Sequence, residues 1–260
     1  MPNDLKTADA IADATRAVGK LLLDLTPPPP AGTFGELREA VAVVEEPTVG
    51  LLRAELAAIR PGVAWVDEIE TEVPDEGEVW VADVTDGVVQ FLQGLPQWCV
   101  SVALVRNGTA VAVALHNPLL DETYTAALGA GAYRDGQPIR PSAKTDLSVT
   151  LVGMTHPPFV RNNPDDIAGT GRLLSNALPV VGAVRNLGPT SWQVADTAAG
   201  RMDAFAEYGR DDANLLPGAL VAREAGALVT DFDGAPWRAG ASSFLAAPPA
   251  LHGGLLRALR

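Results

Sequence analysis

Two aspartates close a short apolar segment in the first third of the chain and could together bind a metal ion. Asp83 and Asp86 follow the run 79–82, and Gly87 comes directly after them. Carboxylates with this spacing at the end of a strand can converge on a hard cation such as Mg²⁺, which usually shares its oxygen ligands with substrate phosphate. Gly87 permits close backbone approach, and exposed N–H groups at the start of the next turn can hold an anion. The same pattern also fits a plain turn.

These aspartates belong to a strongly acidic stretch, residues 67–86, that contains no Lys or Arg. Within it, the carboxylates of residues 70–78 are interpreted as a solvated loop. Like charges repel one another there, and Pro74 and Gly77 mark a turn. Asp83 and Asp86 differ from this loop because they end an apolar strand.

Composition narrows the class of protein. The chain has 260 residues, of which 47% are hydrophobic and 20% charged, and this balance is typical of a soluble globular protein with a sizeable core. The formal charge of −13 argues against nucleic acid and anionic membranes as partners. Cys99 is the single cysteine, so neither an intrachain disulfide nor a multi-cysteine metal site is possible. No apolar run approaches the roughly 20 residues of a spanning helix, and the N-terminus is polar, so we expect a cytoplasmic protein.

Periodicity predicts alternating helices and strands around a hairpin-rich middle. Asn107-Gly108 is the strongest hairpin signal. The predicted helices are 8–25, which the prolines at 27–30 would end, and 47–59, 167–177, 191–199, 215–225 and 249–259. The predicted strands are 63–66, 79–84, 99–106, 109–116, 123–127, 132–133, 151–155, 179–184, 204–207, 228–231 and 243–247. We therefore expect layered α/β packing with an antiparallel sheet in the middle of the chain. Residues 1–145 would form an N-terminal α+β part that carries the Asp-x-x-Asp-Gly motif, and residues 146–260 a smaller α/β part that completes the site.

Other catalytic chemistries find little support. Ser101 and Ser191 have no His at a recognisable spacing, and no Gly-rich segment continues as a P-loop. Cys99 lies in an apolar strand and is interpreted as a buried small hydrophobe. His156 lies in a loop that could border a pocket, and Arg210 could meet an anionic substrate or form an ordinary salt bridge.

Three motifs in order resemble the inositol monophosphatase family. Residues 80–87 (WVADVTDG), followed by Phe91, Gly94 and Pro96, resemble its signature W-x-x-D-P-x-D-G-T-x-N-F-x-x-G-x-P. Residues 200–207 (GRMDAFAE) resemble its G-x-x-D-A-Y-x-E segment, and residues 218–226 resemble the helix after its W-D-x-A-A-G motif. The likeness runs from about Pro47 to the end of the chain.

The resemblance implies a five-layer α/β/α/β/α sugar-phosphatase-like fold and Mg²⁺-dependent hydrolysis of a small phosphomonoester of an inositol, a sugar or a related cyclitol. In this family Mg²⁺ ions bridge the phosphate, and a water that the metal activates attacks phosphorus in line. Such chemistry is reasonable because a bound metal lowers the pKa of water and neutralises charge on the reacting oxygens. The resemblance also implies a homodimer.

Carried over residue by residue, the resemblance assigns the metal ligands. Asp83 would bridge two metal ions, Asp86 would bind the second, and the carbonyl of Thr85 would also be a ligand. Residues 66–68 align with the family strand that ends in G-E-E, which makes Glu68 the third carboxylate. The position of the W-D aspartate is Asn214, which offers a neutral oxygen. Glu68, Asp83 and Asp86 would thus be the catalytic carboxylates.

The same comparison assigns the substrate contacts. The backbone N–H groups of Gly87 and Val88 would cradle the phosphate, and Glu207 would meet a substrate hydroxyl.

Four departures from the family pattern bear on activity. Val84 replaces a proline, and a proline-rich linker replaces the N-terminal lysine and D-x-V-T hairpin. Val88 replaces the threonine that positions the attacking water, whose acidic partner would fall near residues 45–46. Asn214 replaces a metal-binding carboxylate, for which Asp211 or Asp212 could substitute if the loop shifts. The alternative to a phosphatase is therefore a degenerate member that binds a phosphorylated ligand or a protein partner without turnover.

Overall fold

The computed structural model describes residues 2–66 and 73–260. Its α-helices are α1 (Pro2–Asp24), α2 (Phe34–Ile59), α3 (Val88–Leu92), α4 (Pro164–Ala177), α5 (Thr190–Ala198), α6 (Asp212–Ala225) and α7 (Pro249–Leu259). Its strands are β1 (Ala64–Val66), β2 (Glu78–Asp86), β3 (Cys99–Arg106), β4 (Thr109–Asn117), β5 (Glu122–Ala127), β6 (Gly131–Arg134), β7 (Gln137–Pro138), β8 (Leu151–Thr155), β9 (Ala183–Arg185), β10 (Ala204–Tyr208), β11 (Leu228–Thr230) and β12 (Ser243–Ala247).

The first sheet contains β1 to β7 in sequence order. From β2 onward neighbouring strands are antiparallel, as expected for strands joined by short turns, and β3 and β4 meet at Asn107-Gly108, both with positive φ. The edge strand β1 departs from the antiparallel expectation, because it runs parallel to β2.

The second sheet has the order β11-β12-β10-β8-β9. β8 runs parallel to β10 and β9, while β12 is antiparallel to β10 and β11. The connections between the parallel strands carry α4 and α5, whereas α6 lies between β10 and β11, and α7 follows β12.

The layers alternate as helix, sheet, helix, sheet, helix. Along β2, Trp80 and Ala82 face α1 and α2, whereas Val79 and Val81 face the central helices α5 and α6. This alternation follows from the two-residue period of a strand that is buried on both faces. Leu173 of α4 and the apolar side of α7 cover the far face of the second sheet. The five-layer α/β/α/β/α expectation is confirmed.

The second helix is the main local correction. The sequence predicts a helix from Pro47, but α2 begins at Phe34, and Pro47 lies inside it. The Thr33 hydroxyl accepts from the Glu36 N–H, and the Glu36 carboxylate accepts from the Thr33 N–H, which forms a reciprocal capping box. Proline removes one helical hydrogen bond, and the carbonyl that loses its partner belongs to Val43, whose residue is 60% exposed, so water can hydrate it.

The central core contains residues from both halves of the chain. Val113 and Tyr124 of the first sheet pack in one cluster with Trp192, Leu220 and Phe244. The two parts of the chain, residues 1–145 and 146–260, would meet at this shared cluster. The boundary between residues 145 and 146 stays a prediction. Among the described residues, no helix is long and apolar enough to cross a membrane.

Candidate functional site

The end of β2 bends where its two aspartates lie. Asp83 pairs with Ser101 of β3 and Asp86 with Cys99, so the register shifts by one residue between them. Such a bulge kinks the strand and redirects its side chains. Asp86 is buried and Asp83 is half-buried. Strand and bulge together direct both carboxylates toward the central helices.

Gly87 follows at the start of α3 with φ +90°. A Cβ atom placed there would lie 2.9 Å from the carbonyl oxygen of Gln97 and 3.2 Å from Cα of Trp98. Both the backbone conformation and the close approach therefore require glycine.

Two hydrogen bonds orient the aspartates. The backbone N–H of Thr85 donates to Oδ1 of Asp83 at 2.7 Å. The hydroxyl of Ser191, in the first turn of α5, donates to Oδ2 of Asp86. Ser191 also lies 3.5 Å from the thiol of Cys99, which is buried as expected. Ser191 therefore holds the carboxylate of Asp86, a role that no local sequence pattern indicated.

The start of α6 brings further oxygen donors to the same place. Nδ2 of Asn214 donates to Oδ1 of Asp211 at 2.8 Å. Asp212 is engaged elsewhere, because its Oδ2 accepts from Nε of Arg210 at 2.6 Å and its Oδ1 accepts from the N–H of Gly240 at 2.7 Å. Of the two aspartates that could replace the missing carboxylate, Asp211 faces the site.

A cavity of about 380 Å³ joins these elements. Its walls are Asp86, Gly87, Val89, Gln90, Thr155, His156, Pro158, Asn186, Gly188, Pro189, Thr190, Asp211 and Asn214. His156 therefore borders the cavity, as expected. Asp83, Ser101 and Asn214 line a smaller adjoining void. None of the described residues that line the large cavity is Lys or Arg, and its acidic lining residues are Asp86 and Asp211.

Burial and mutual repulsion shift the proton affinities of this cluster. Burial raises the pKa of Asp86 well above its usual value, and the charges of Asp83 and Asp211 add to the effect. Burial raises the pKa of Asp211 to about 6. The pKa of Glu207 is also well above its usual value, first because of burial and then because of the Asp211 charge. A cation between these groups would favour their ionised forms.

The donor set fits a hard divalent cation. Carboxylate, amide and carbonyl oxygens are the ligands that Mg²⁺ takes in proteins. Oδ2 of Asp211 is buried without a hydrogen-bond partner, and the fully buried carboxylate of Glu207 lies beside Asp211. Within residues 2–66 and 73–260, no three His, Cys, Asp or Glu side chains form a metal-binding group by themselves. A cation here would therefore also need neutral oxygens such as that of Asn214, or ligands from outside the described residues.

Some of the predicted site residues line the cavity, and others lie behind its wall. Asp86, Gly87 and Asn214 meet at the cavity, and Asp83 adjoins it through the smaller void. Glu68 lies outside the described residues.

Three further predicted residues lie beside or behind the cavity wall. Thr85 is buried between the two aspartates. Val88 is half-buried, and its neighbours Val89 and Gln90 line the cavity in its place. Glu207 is fully buried on β10 beside Asp211 and Thr190, so its contact with a substrate hydroxyl stays a prediction.

Comparison with known proteins identifies the family of this chain. The model of the inositol monophosphatase family matches residues 8–260. The chain belongs to this family. The match begins at residue 8, whereas the resemblance of the motifs begins at about Pro47. Helices α1 and α2 are therefore part of the family's fold as well.

Relatives and solved structures of the family cover most of the chain. The inositol-1-monophosphatase of Mesorhizobium japonicum is 34% identical over 212 residues, which are 81% of this chain and 79% of that protein. The inositol-1-monophosphatase of Mycobacterium leprae is 35% identical over 85% of this chain and 78% of its own length. The structure of inositol monophosphatase from Anabaena superposes with a TM-score of 0.84 at 25% identity and covers 100% of this chain and 96% of that one.

Membership in the inositol monophosphatase family supports phosphatase activity in general and does not favour a protein that binds without turnover. The family is generally metal-dependent and acts on small phosphorylated substrates.

Proposed function

We propose that this member of the inositol monophosphatase family hydrolyses a small phosphomonoester of an inositol, a sugar or a related cyclitol in a Mg²⁺-dependent reaction. Two neighbouring spaces carry the proposal: Asp86 and Asn214 line the cavity, and Asn214 also lines the adjoining void together with Asp83. Oxygen donors that are far apart in the sequence lie close together there, and the volume of the cavity suits a small ligand.

The acidity of the cavity supports the requirement for a cation. A phosphate dianion would be repelled by Asp86 and its neighbouring carboxylates, and no described wall residue is Lys or Arg to offset this. Five groups would hold the cation: the carboxylates of Glu68, Asp83 and Asp86, the carbonyl of Thr85 and the amide oxygen of Asn214. Bound there, Mg²⁺ would supply charge neutralisation at the phosphoryl oxygens and lower the pKa of water.

The residues of the chain orient the metal-binding aspartates and bind the substrate. The Thr85 N–H and the Ser191 hydroxyl hold the two aspartates in place before substrate arrives, which lowers the reorganisation cost of the reaction. Gly87 lets the backbone approach the phosphate, which its N–H and that of Val88 would cradle. Gln90, His156 and Asn186 give the cavity a polar wall that can hydrogen-bond to the hydroxyls of a polyol.

The test is release of inorganic phosphate by the purified chain with and without Mg²⁺, over a panel of inositol, sugar and cyclitol monophosphates. We expect Mg²⁺-dependent turnover of at least one substrate. Asp83→Asn should lower the rate at least about 100-fold, because it removes a ligand rather than a supporting group.

Asp75→Asn is the matched control, since it makes the same chemical change at an exposed position of the same acidic stretch. It should leave turnover unchanged. A folded wild-type chain that releases no phosphate above background on the panel would contradict the proposal, and so would full activity of Asp83→Asn.

A homodimer and a cytoplasmic location remain part of the proposal. The family resemblance supports the homodimer, and the cytoplasmic location carries over the expectation drawn from the sequence. Light scattering coupled to size-exclusion chromatography tests the first, and fractionation of the producing cell tests the second.

A further inference from the structure

We infer that Asp211, one helical turn before Asn214, supplies the carboxylate that the cation site of this chain would otherwise lack. The inference rests on the proposed function, because it assigns a further ligand to the same site. It concerns a residue outside the motifs that carry the family resemblance.

The geometry of the α6 N-terminus makes the exchange possible. Residues three apart lie on the same side of a helix, so a side chain at 211 can reach the space that one at 214 faces. The 2.8 Å bond from Nδ2 of Asn214 to Oδ1 of Asp211 shows that the two side chains do meet. Both line the cavity that Asp86 also lines.

The hydrogen bond also settles what Asn214 offers. Its amide nitrogen is directed at Asp211, so the amide oxygen is the atom that it can present to a cation. Asn214 and Asp211 together then provide a neutral amide oxygen and a carboxylate to the same cavity.

The second oxygen of Asp211 is available to a cation. Asp211 is 6% exposed, and its Oδ2 is buried without a hydrogen-bond donor. Neighbouring Glu207, a residue with no exposed surface, has its carboxylate beside that of Asp211 and beside Thr190. Buried carboxylates normally have a donor or a counter-ion, because burying an unpaired charge is costly. A divalent cation would compensate this group of oxygens.

Asp212 provides the internal comparison. It is adjacent in sequence and carries the same charge, but its oxygens are occupied by Arg210 and by the Gly240 N–H. A place in the sequence close to Asn214 is therefore not sufficient to make an aspartate a ligand here.

The experiment measures Mn²⁺ binding to the full-length chain by electron paramagnetic resonance and calorimetry, in wild type, Asp211→Asn and Asp212→Asn. We expect Asp211→Asn to weaken Mn²⁺ binding at least about tenfold or to remove one bound ion, because it keeps the side-chain shape and loses the charge. Asp212→Asn should bind Mn²⁺ as wild type does. Asn214→Asp added to Asp211→Asn should restore binding, since the carboxylate returns to the same cavity.

Circular dichroism checks that each variant is folded, and Asp211→Ser replaces Asp211→Asn with the same expectation if the latter does not fold. Wild-type affinity and stoichiometry in the folded Asp211 variant would overturn the inference and leave the proposed function standing, provided that Asp83→Asn abolishes both binding and phosphate release. A folded wild-type chain that binds no Mn²⁺ would overturn both.

Discussion

At the scale of single residues, the site depends on small details around the two aspartates. Ser191 holds Asp86 from 105 residues further along the chain. Gly87 lets the chain turn immediately after them, packed against the backbone of Gln97 and Trp98. The loss of the threonine hydroxyl at Val88 leaves Gln90 as a polar side chain of α3 that reaches the cavity.

Gly87→Ala should therefore disturb both stability and activity. A left-handed conformation costs an L-residue about 1–2 kcal/mol, and the contact of the new Cβ with the Gln97 carbonyl adds to this cost. We expect a decrease in the free energy of unfolding above 2 kcal/mol and at least about tenfold slower phosphate release, because the Asp86 backbone must shift. Urea titration and the phosphate assay measure the two effects.

Gly94→Ala is the control, because Gly94 also has a positive φ, 69°, but an added Cβ there has no neighbour within 4 Å. It should show the conformational cost alone and keep normal activity. Equal effects of the two substitutions would show that the close approach at Gly87 is unimportant.

At the scale of elements, charged groups attach the outer helix α1 to the first sheet. Asp4 pairs with Nη2 of Arg106 on β3 at 3.0 Å, and Nε of Arg106 donates to Glu78 of β2 at 2.8 Å. The hydrogen bond from Arg106 holds the pKa of Asp4 below its usual value. Since the side chain of Asp4 is only 8% exposed, solvent screens this pair less than a surface ion pair.

Asp4→Asn should therefore destabilise the protein in a pH-dependent way. The lowered pKa in the folded state contributes stability that is complete above the unfolded pKa of about 4 and is lost as pH falls through the folded value. We expect a loss of about 1–2 kcal/mol at pH 7 that shrinks below pH 4. Urea titrations between pH 7 and pH 3 measure it.

Asp9→Asn provides the comparison for this prediction, as an exposed aspartate of the same helix. It should have little effect at any pH. A destabilisation by Asp4→Asn that does not change with pH would show that packing rather than charge is responsible.

At the scale of the whole molecule, α5 and α6 lie between the two sheets and join the halves of the chain. The hydroxyl of Tyr124 on β5 donates to Oδ1 of Asp196 on α5 at 2.8 Å, and the Tyr124 ring packs edge-on against Trp192 at 4.9 Å between centroids. Residues of one half thus complete the core of the other.

Tyr124→Phe should lower the stability of the entire molecule. It keeps the ring contact and removes one donor from the half-buried carboxylate of Asp196, which costs about 1–3 kcal/mol. Because the core is shared, we expect far-UV circular dichroism and tryptophan fluorescence to show one coincident transition, shifted to lower temperature. Two separated transitions would instead support independent units on either side of residue 145. Tyr133→Phe is the control, because that hydroxyl bonds only locally, to the carbonyl of Ala130.

The sequence by itself determined the elements whose signals are local. β3, β8, β12 and α7 have the predicted bounds, since strand alternation, helical spacing and turn residues act between near neighbours. The family also follows from the order of residues along the chain. The start of α2 could also be predicted, because its capping box is a local pattern of four residues, from Thr33 to Glu36.

Only the tertiary structure decided which side chains share the site. Asp211 and Asp212 are indistinguishable as neighbours in the sequence, and Arg210 and Gly240 draw one of them away. Ser191 meets Asp86, and Glu207 is fully buried, because two sheets and the helices between them bring distant segments together. The direction of a side chain at the end of an element depends on partners across the fold, and these partners have no fixed spacing along the chain.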